Sequence, residues 1–355
     1  MNVYVIDSSY TPVAVIDSFK SLIWTKRYYD CGDFELFIPA DSSILPYIQP
    51  DYFLMRDDDD SVMIIEKLEV DTDAENGDFF IVSGRDLKSI LGRRIFNRQF
   101  VLTAQTVNEA VQSMVDFCTT VQGRPSETYR QISGLTVDTT TVFSDDIKAQ
   151  FTGQTLLNGI ISLTQPKNIG TKMTISGSAL ILSFYQGADN GVVFSPEFDN
   201  LANSKYIFDK TNLKNQAYIA GEGQGSERKW ASVILTTFAN RPRGLALREM
   251  FVDARDVSSN EGDIDIYEYI DMLISRGNDK LAECAVSKTY EAQVEPNAAY
   301  EYKRDYDLGD IVTVSNEYGI TSKPRIVEIV ECWDEKGYSV IPKFDGLNIE
   351  EQTEV

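Results

Sequence analysis

Through most of the first 87 positions, apolar and polar residues alternate with a period near two. In Phe34–Ile38, the apolar Phe34, Leu36 and Ile38 are separated by Glu35 and Phe37, the rhythm of a strand with one buried face. "VYVID" and "PVAVID" come earlier, split by "SSYTP", and Ser21–Tyr28 pairs naturally with Phe34–Ile38 as a hairpin that Pro39 ends. "YFLMR", "SVMIIEKLEV" and "DFFIVSG" follow. Short strands with turn residues at this density predict a barrel or sandwich.

The period changes after residue 88. Val107, Ala110, Val111, Met114 and Val115 recur at helical spacing, with Thr106 as N-cap and Glu109 at the capping-box position. "GQTLLNGIISLTQP" predicts a short helix stopped at Pro166, and "KMTISGSALILSFYQG" two strands around Gly177-Ser178. Strands return from about residue 216 in "QAYIAGEG", "WASVILTTF" and "LREMFVDARDV". One helix is expected in "IDIYEYIDMLISRGNDKLAEC", broken near Gly277, and the end is all strand. The fold expected is mainly β with an α/β middle: two related β-barrel domains flanking a mixed α/β region. The segments are 1–87, 88–215 and 216–355, the last holding the second barrel and one helix.

"VDTDAENGDFFIV" raises calcium, with Asp71, Asp73 and Glu75 alternating like ligands. An EF-hand loop counted from Asp71 needs Gly sixth and Glu twelfth. Asn76 and Val82 stand there, between strands and not helices. Asn76-Gly77 therefore reads as a hairpin turn. A similar hairpin lies near the end, where Ile64, Ile65, Glu66, Leu68 and Glu69 match Ile326, Val327, Glu328, Val330 and Glu331. Each is followed by an acidic turn ending in Gly, which predicts a duplicated barrel.

Composition narrows the function. The formal charge is −22, from 33 Lys and Arg against 55 Asp and Glu. That opposes a nucleic-acid grip or docking on anionic lipid. The chain has no His, which removes Ser-His-Asp and Cys-His catalysis and HExxH zinc sites. Cys31, Cys118, Cys284 and Cys332 form no CxxC and are expected as buried free thiols. No signal peptide or transmembrane run is visible.

The order of "VIDSFKSLIWTKRYYDCGDFELFIPA", "AYIAGEGQGSERKW", "LREMFVDARD" and "YDLGDIVTVSNEYGITSKPRIVEIVE" resembles the siphophage tail-hub family. These are Gp37-like, tail-associated baseplate-hub proteins of phages infecting Gram-positive bacteria. The resemblance implies a structural homotrimer in the virion, at the tail tip, assembled in the host cytoplasm. Two barrels per subunit would give six, matching a hexameric distal tail protein. It further implies contact with the tape-measure protein and with tip or receptor-binding proteins. Phage DNA would pass without specific binding, repelled by an acidic channel wall within about 8–10 Å. Relatives often carry a C-terminal lysin or receptor-binding domain, and this sequence ends soon after "YSVI".

The expected contacts of the ring are Glu66, Glu69, Glu328 and Glu331, with the loop Gly221, Glu222, Gly223, Gln224 and Gly225. That loop, "GEGQGS", fails GxGxxG because position 226 is Ser. The acids Asp57–Asp60 are expected to be solvated, and no cofactor, metal or catalytic residue is expected. Two other readings stay open. One is a tail-borne cell-wall glycosidase using Asp253 and Asp256, although pairing with Arg248 and Arg255 is the plainer role for those acids. The other is a carbohydrate-binding or adhesin module.

Overall fold

The computed structural model describes residues 1–73, 77–119, 125–144, 147–236, 240–259, 264–294, 300–318 and 321–345. The first run of strands is β1 (Val3–Ile6), β2 (Pro12–Ile16), β3 (Ser21–Arg27), β4 (Asp33–Pro39), β5 (Phe53–Arg56), β6 (Val62–Asp73) and β7 (Gly77–Asp86). They lie side by side in the order β2-β1-β5-β6-β7-β4-β3. One face supplies Val3, Ile16, Trp24, Leu36, Leu54, Ile65 and Val82 to a single cluster. Strands at opposite ends of the row share that cluster, so the sheet curls around it. The β6–β7 hairpin is present, with Asp73 opposite Gly77; residues 74–76 of its turn lie outside the described residues.

The middle comprises β8 (Phe100–Gln105), α1 (Val107–Thr119), β9 (Leu135–Val137), β10 (Ile147–Phe151), α2 (Leu156–Thr164), β11 (Gly170–Ser176) and β12 (Ala179–Tyr185). The capping box of α1 forms as expected. The Glu109 carboxylate accepts from the Thr106 amide at 3.0 Å, and the Thr106 hydroxyl accepts from the Glu109 amide at 3.4 Å. Both helices pack into a cluster that also takes Ile6, Phe53, Val62 and Ile64 from the outer face of the first sheet.

The third part holds β13 (Asp189–Phe194), β14 (Leu201–Asp209), β15 (Gln216–Ala220), β16 (Trp230–Ile234), β17 (Glu249–Asp253), α3 (Ile266–Glu283), β18 (Ser287–Val294), β19 (Ile311–Ser315), β20 (Thr321–Ser322), β21 (Arg325–Asp334) and β22 (Gly337–Asp345). Here α3 packs on the small sheet β16-β15-β17 around Ile219, Tyr269 and Leu273. It does not break at Gly277. A Cβ there would crowd Ile219 and Val233, so the glycine lets helix and sheet approach.

The remaining strands repeat the first run. The first order reads β3-β4-β7-β6-β5-β1, and the later one β14-β18-β22-β21-β19-β13. Residues 210–286, with β15–β17 and α3, stand between β14 and β18, where the first run has only the β3–β4 turn. One pairing differs in sense: β1 meets β5 antiparallel, whereas β13 meets β19 parallel. The core-facing residues also correct the sequence match. Leu54, Ile65, Trp24 and Val82 point inward in the first cluster, as Val312, Ile326 and Tyr206 do in the second. Ile65 thus corresponds to Ile326, not Val327. A β-bulge follows each of these two residues and shifts the face on which later side chains fall. Glu66 and Glu328 share a place in the sequence pattern, yet they do not share one in the sheet.

Separate barrels are not what the ladders draw. Among the described residues no ring of strands closes, and both runs belong to one 14-stranded sheet because β21 pairs with β3. Tyr28 pins this joint. Its amide donates to Val327 and its carbonyl accepts from Thr171. Its hydroxyl lies 2.9 Å from the Asn168 carbonyl and 3.1 Å from that of Tyr185, and its ring is fully buried. Tyr28→Phe, which leaves those carbonyls without their donor, is expected to lower stability by about 1–3 kcal/mol in urea unfolding. Gly170→Ala, whose Cβ would overlap the Tyr28 ring, is expected to be at least as harmful. A neutral result for both would remove Tyr28 as the pin.

Candidate functional site

The seam between the two runs is short and charged. Leu22–Arg27 of β3 faces Trp333–Glu328 of β21, with Trp24 opposite Glu331 and Arg27 opposite Glu328. Arg56, at the end of β5, reaches across it. Its two terminal nitrogens donate to the two oxygens of Glu331, each at 3.1 Å. It also binds Asp58 through Nε and Nη2, both at 2.8 Å. The guanidinium carbon lies 4.2 Å from the Trp333 ring centre and 5.4 Å from that of Trp24. The Arg56 side chain is 0% exposed and that of Glu331 1%. Buried charges hold only when each is paired and hydrogen-bonded; Tyr338 supplies Glu331 with a further donor at 2.9 Å.

The acidic run beside Arg56 has a role that its composition alone does not reveal. Asp59, 3% exposed, sits 2.6 Å from Lys26 of β3 and 2.6 Å from Lys303. Asp60 binds Lys172 of β11 at 2.5 Å, and Asp57 accepts the Asn2 amide at 3.1 Å. Asp57, Asp59 and Asp60 therefore reach separate parts of the chain and Asp58 the neighbouring Arg56; Asp57, Asp58 and Asp60 stay exposed, as expected of a solvated loop, and Asp59 departs from that expectation in having its side chain buried. Burial pulls the Asp59 carboxyl up, but Lys26 and Lys303 outweigh it and hold it well below the usual carboxylate range. Among the described residues no group of three or more His, Cys, Asp or Glu could hold a metal. Above the clamps lies a cleft of about 670 Å³, lined by both signs of charge, including Lys26, Lys88, Asp59 and Lys303.

The expected contact residues fall in three places. Glu328 and Glu331 belong to the seam; Glu328 pairs with Arg27 at 2.6 Å and with Lys343 at 2.5 Å. Glu66 and Glu69 lie on the outer part of β6, held by Arg85 at 2.7 Å and by Lys67 at 2.5 Å. In the glycine loop, Gly221 is buried against Tyr269 and Leu273. The Glu222 amide donates to the Tyr269 hydroxyl at 2.8 Å, and its carboxylate accepts from the Ser259 amide at 3.0 Å. Gly223, Gln224 and Gly225 form the exposed tip. Asp253 binds Arg228 and Arg255, Asp256 binds Arg276, and Arg248 instead donates to the Lys210 carbonyl. Cys31 and Cys118 are buried and Cys284 and Cys332 half-buried, all four as free thiols.

This fold is that of phage tail proteins. The tail protein from Neisseria meningitidis MC58 superposes with a TM-score of 0.58 at 14% identity, covering 97% of this chain and 96% of that one. The 43 kDa tail protein of prophage MuSo2 from Shewanella oneidensis gives 0.58 at 15%, covering 97% and 98%. Prophage tail protein gp18 from Listeria monocytogenes EGD-e gives 0.57 at 10%, covering 99% and 95%. The family of the Siphovirus ReqiPepy6 Gp37-like protein matches residues 2–344, and the chain belongs to that family. It is a component of the virion tail. No curated protein sequence matches it. Among the described residues no helix is long and apolar enough to cross a membrane.

Asp59→Asn is expected to cost about 3–5 kcal/mol at pH 7, because Lys26 and Lys303 lose a buried partner. The native carboxyl is depressed, so its contribution is present above the unfolded value of about 4 and fades as pH falls below it. The gap between variant and wild type in urea unfolding should therefore narrow in acid. A gap that stays constant down to pH 2 would contradict the clamp.

Proposed function

We propose that three copies of this protein form the hub at the distal end of the tail, closing the tube and opening for DNA passage. The observation that carries this reading is the strand order that occurs twice in one chain. A trimer of such chains offers six similar curled sheets, and a hexameric distal tail protein above it needs six similar contacts. In the ring each curled sheet acts as a barrel whose gap is filled by a neighbour. On this reading the duplicated units are residues 1–87 and 189–345, with 88–188 as a connecting α/β part and 210–286 as an insertion in the second unit.

The partners follow from that position: the distal tail protein on one side, and the tape-measure and tip or receptor-binding proteins along the axis. The acidic balance fits a wall that DNA passes without sticking, since like charge repels within about a Debye length. The exposed tip Gly223–Gly225 and the outer stretch of β6 with Glu66 and Glu69 are the contact surfaces proposed here. Glu328 and Glu331 contribute indirectly, by holding the two units in one chain. The glycosidase reading gains nothing, because Asp253 and Asp256 are both occupied by arginines.

Light scattering of the purified protein, alone and with its distal tail partner, should give a mass near three times 40.0 kDa, with a ring in negative stain. A monomer under both conditions would overturn the hub reading.

A further inference from the structure

The internal seam shows how two such units join, and the chain leaves one copy of each half of that joint open. Within the chain, the first unit's outer strand β3 lies on β21 of the second unit. In the duplicated order β14 takes the place of β3, and β6 that of β21. Among the described residues β14 is the terminal strand of the sheet. On β6, β5 covers only Val62–Ile64, with Ile65 bonded to Asp51 and Tyr52. From Glu66 to Asp71 that side of β6 has no ladder partner among the described residues. This is the stretch corresponding to the part of β21 that β3 covers. Resting on the trimer reading, we propose that β14 of one copy pairs antiparallel with the outer half of β6 in the next copy.

The register follows from the ladders. Trp24 faces Phe34, which faces Gly84; Tyr206 faces Tyr290, which faces Phe344. Tyr206 therefore stands where Trp24 does, and each lies at its unit's apolar cluster. Ile65 and Ile326 correspond, so Val70 stands where Glu331 does. Glu331 faces Trp24; Val70 of one copy then faces Tyr206 of the next. One face of the new joint brings Leu68 against Phe208 and Val70 against Tyr206. The other brings Lys67 against Asp209, Glu69 against Ile207 and Asp71 against Lys205.

Both faces are chemically matched. Lys67 against Asp209 repeats, with the signs exchanged, the Glu328–Arg27 pair of the internal seam, and Asp71 against Lys205 adds a second opposite pair. Val70 is 52% exposed and Phe208 48%, so the joint would cover apolar surface that the single chain leaves in water. A long terminal strand carrying Ile207 and Phe208 is an aggregation hazard unless a defined partner covers it. The contact is heterologous, and it closes after three chains because internal and external joints alternate around six units.

The test is cross-linking in the full chain. The variant combining Glu69→Cys with Ile207→Cys should oxidise to a covalent three-chain species. A variant carrying only one of the two added cysteines should not, and neither should Glu69→Cys with Lys205→Cys, displaced by two residues. Mass and circular dichroism of the reduced variants check that the fold survives. As a second arm, Lys67→Asp and Asp209→Lys should each weaken the trimer roughly tenfold on dilution, and the two together should restore it. A trimer that neither cross-links at 69 and 207 nor responds to the charge swap overturns this pairing and leaves the trimer standing. Absence of any trimer, alone or with the distal tail protein, overturns both.

Discussion

Six residues of β3 lying against six of β21 decide how the whole chain is arranged. Without that ladder, residues 1–87 and 189–345 would hold two separate sheets. With it, they are one sheet, and the curl of one unit is fixed relative to the other. Backbone pairing alone could slip by two residues without changing which side chains face the core. The buried Arg56–Glu331 fork removes that freedom. A guanidinium between Trp24 and Trp333 has no water to fall back on, so a slipped seam would leave both charges unpaired. The pair acts as a register lock more than as a source of stability.

The lock explains the position of the acidic run that follows Arg56. Asp58 completes the arginine's hydrogen bonds, Asp59 gathers lysines from both sides of the seam, and Asp60 takes a lysine from the middle part. Tyr28 does the same with neutral groups. Three stretches far apart in sequence therefore meet at one small region, and the repeated units are held against one another there. The second unit accommodates residues 210–286 between β14 and β18, where they add surface without entering the shared strand order.

Elements were legible in the sequence wherever a local rule governs them. The capping box of Thr106 and Glu109, the turn at Gly177 and the stop at Pro166 depend on neighbours in sequence, and each formed. The duplicated hairpin was also visible, yet its alignment was one residue out. The adjacent apolar pairs Ile64-Ile65 and Ile326-Val327 match in either of two registers, so the repeated Glu residues agreed in spacing while standing at different places in the sheet. Gly277 carried the opposite lesson. In isolation a mid-helix glycine reads as a break, but here the close approach of Ile219 and Val233 outweighs its propensity cost of about 1 kcal/mol. The seam was not legible at all. Arg56 and Glu331 are 275 positions apart, and a single sequence gives no reason to choose that arginine among the chain's cations. "RDDDDS" is exposed at three of its four acids, and the burial of Asp59 was not legible because composition reports charge but not burial.

One kind of strand joint, used once inside the chain, is proposed to build the ring. Electron cryomicroscopy of the assembled protein, at a resolution that separates strands, is the decisive measurement. Such a ring has six joints around the axis, three internal at β3–β21 and three between copies, with a continuous sheet passing through all of them. A ring in which β14 and the outer half of β6 are both left open to solvent would contradict this proposal.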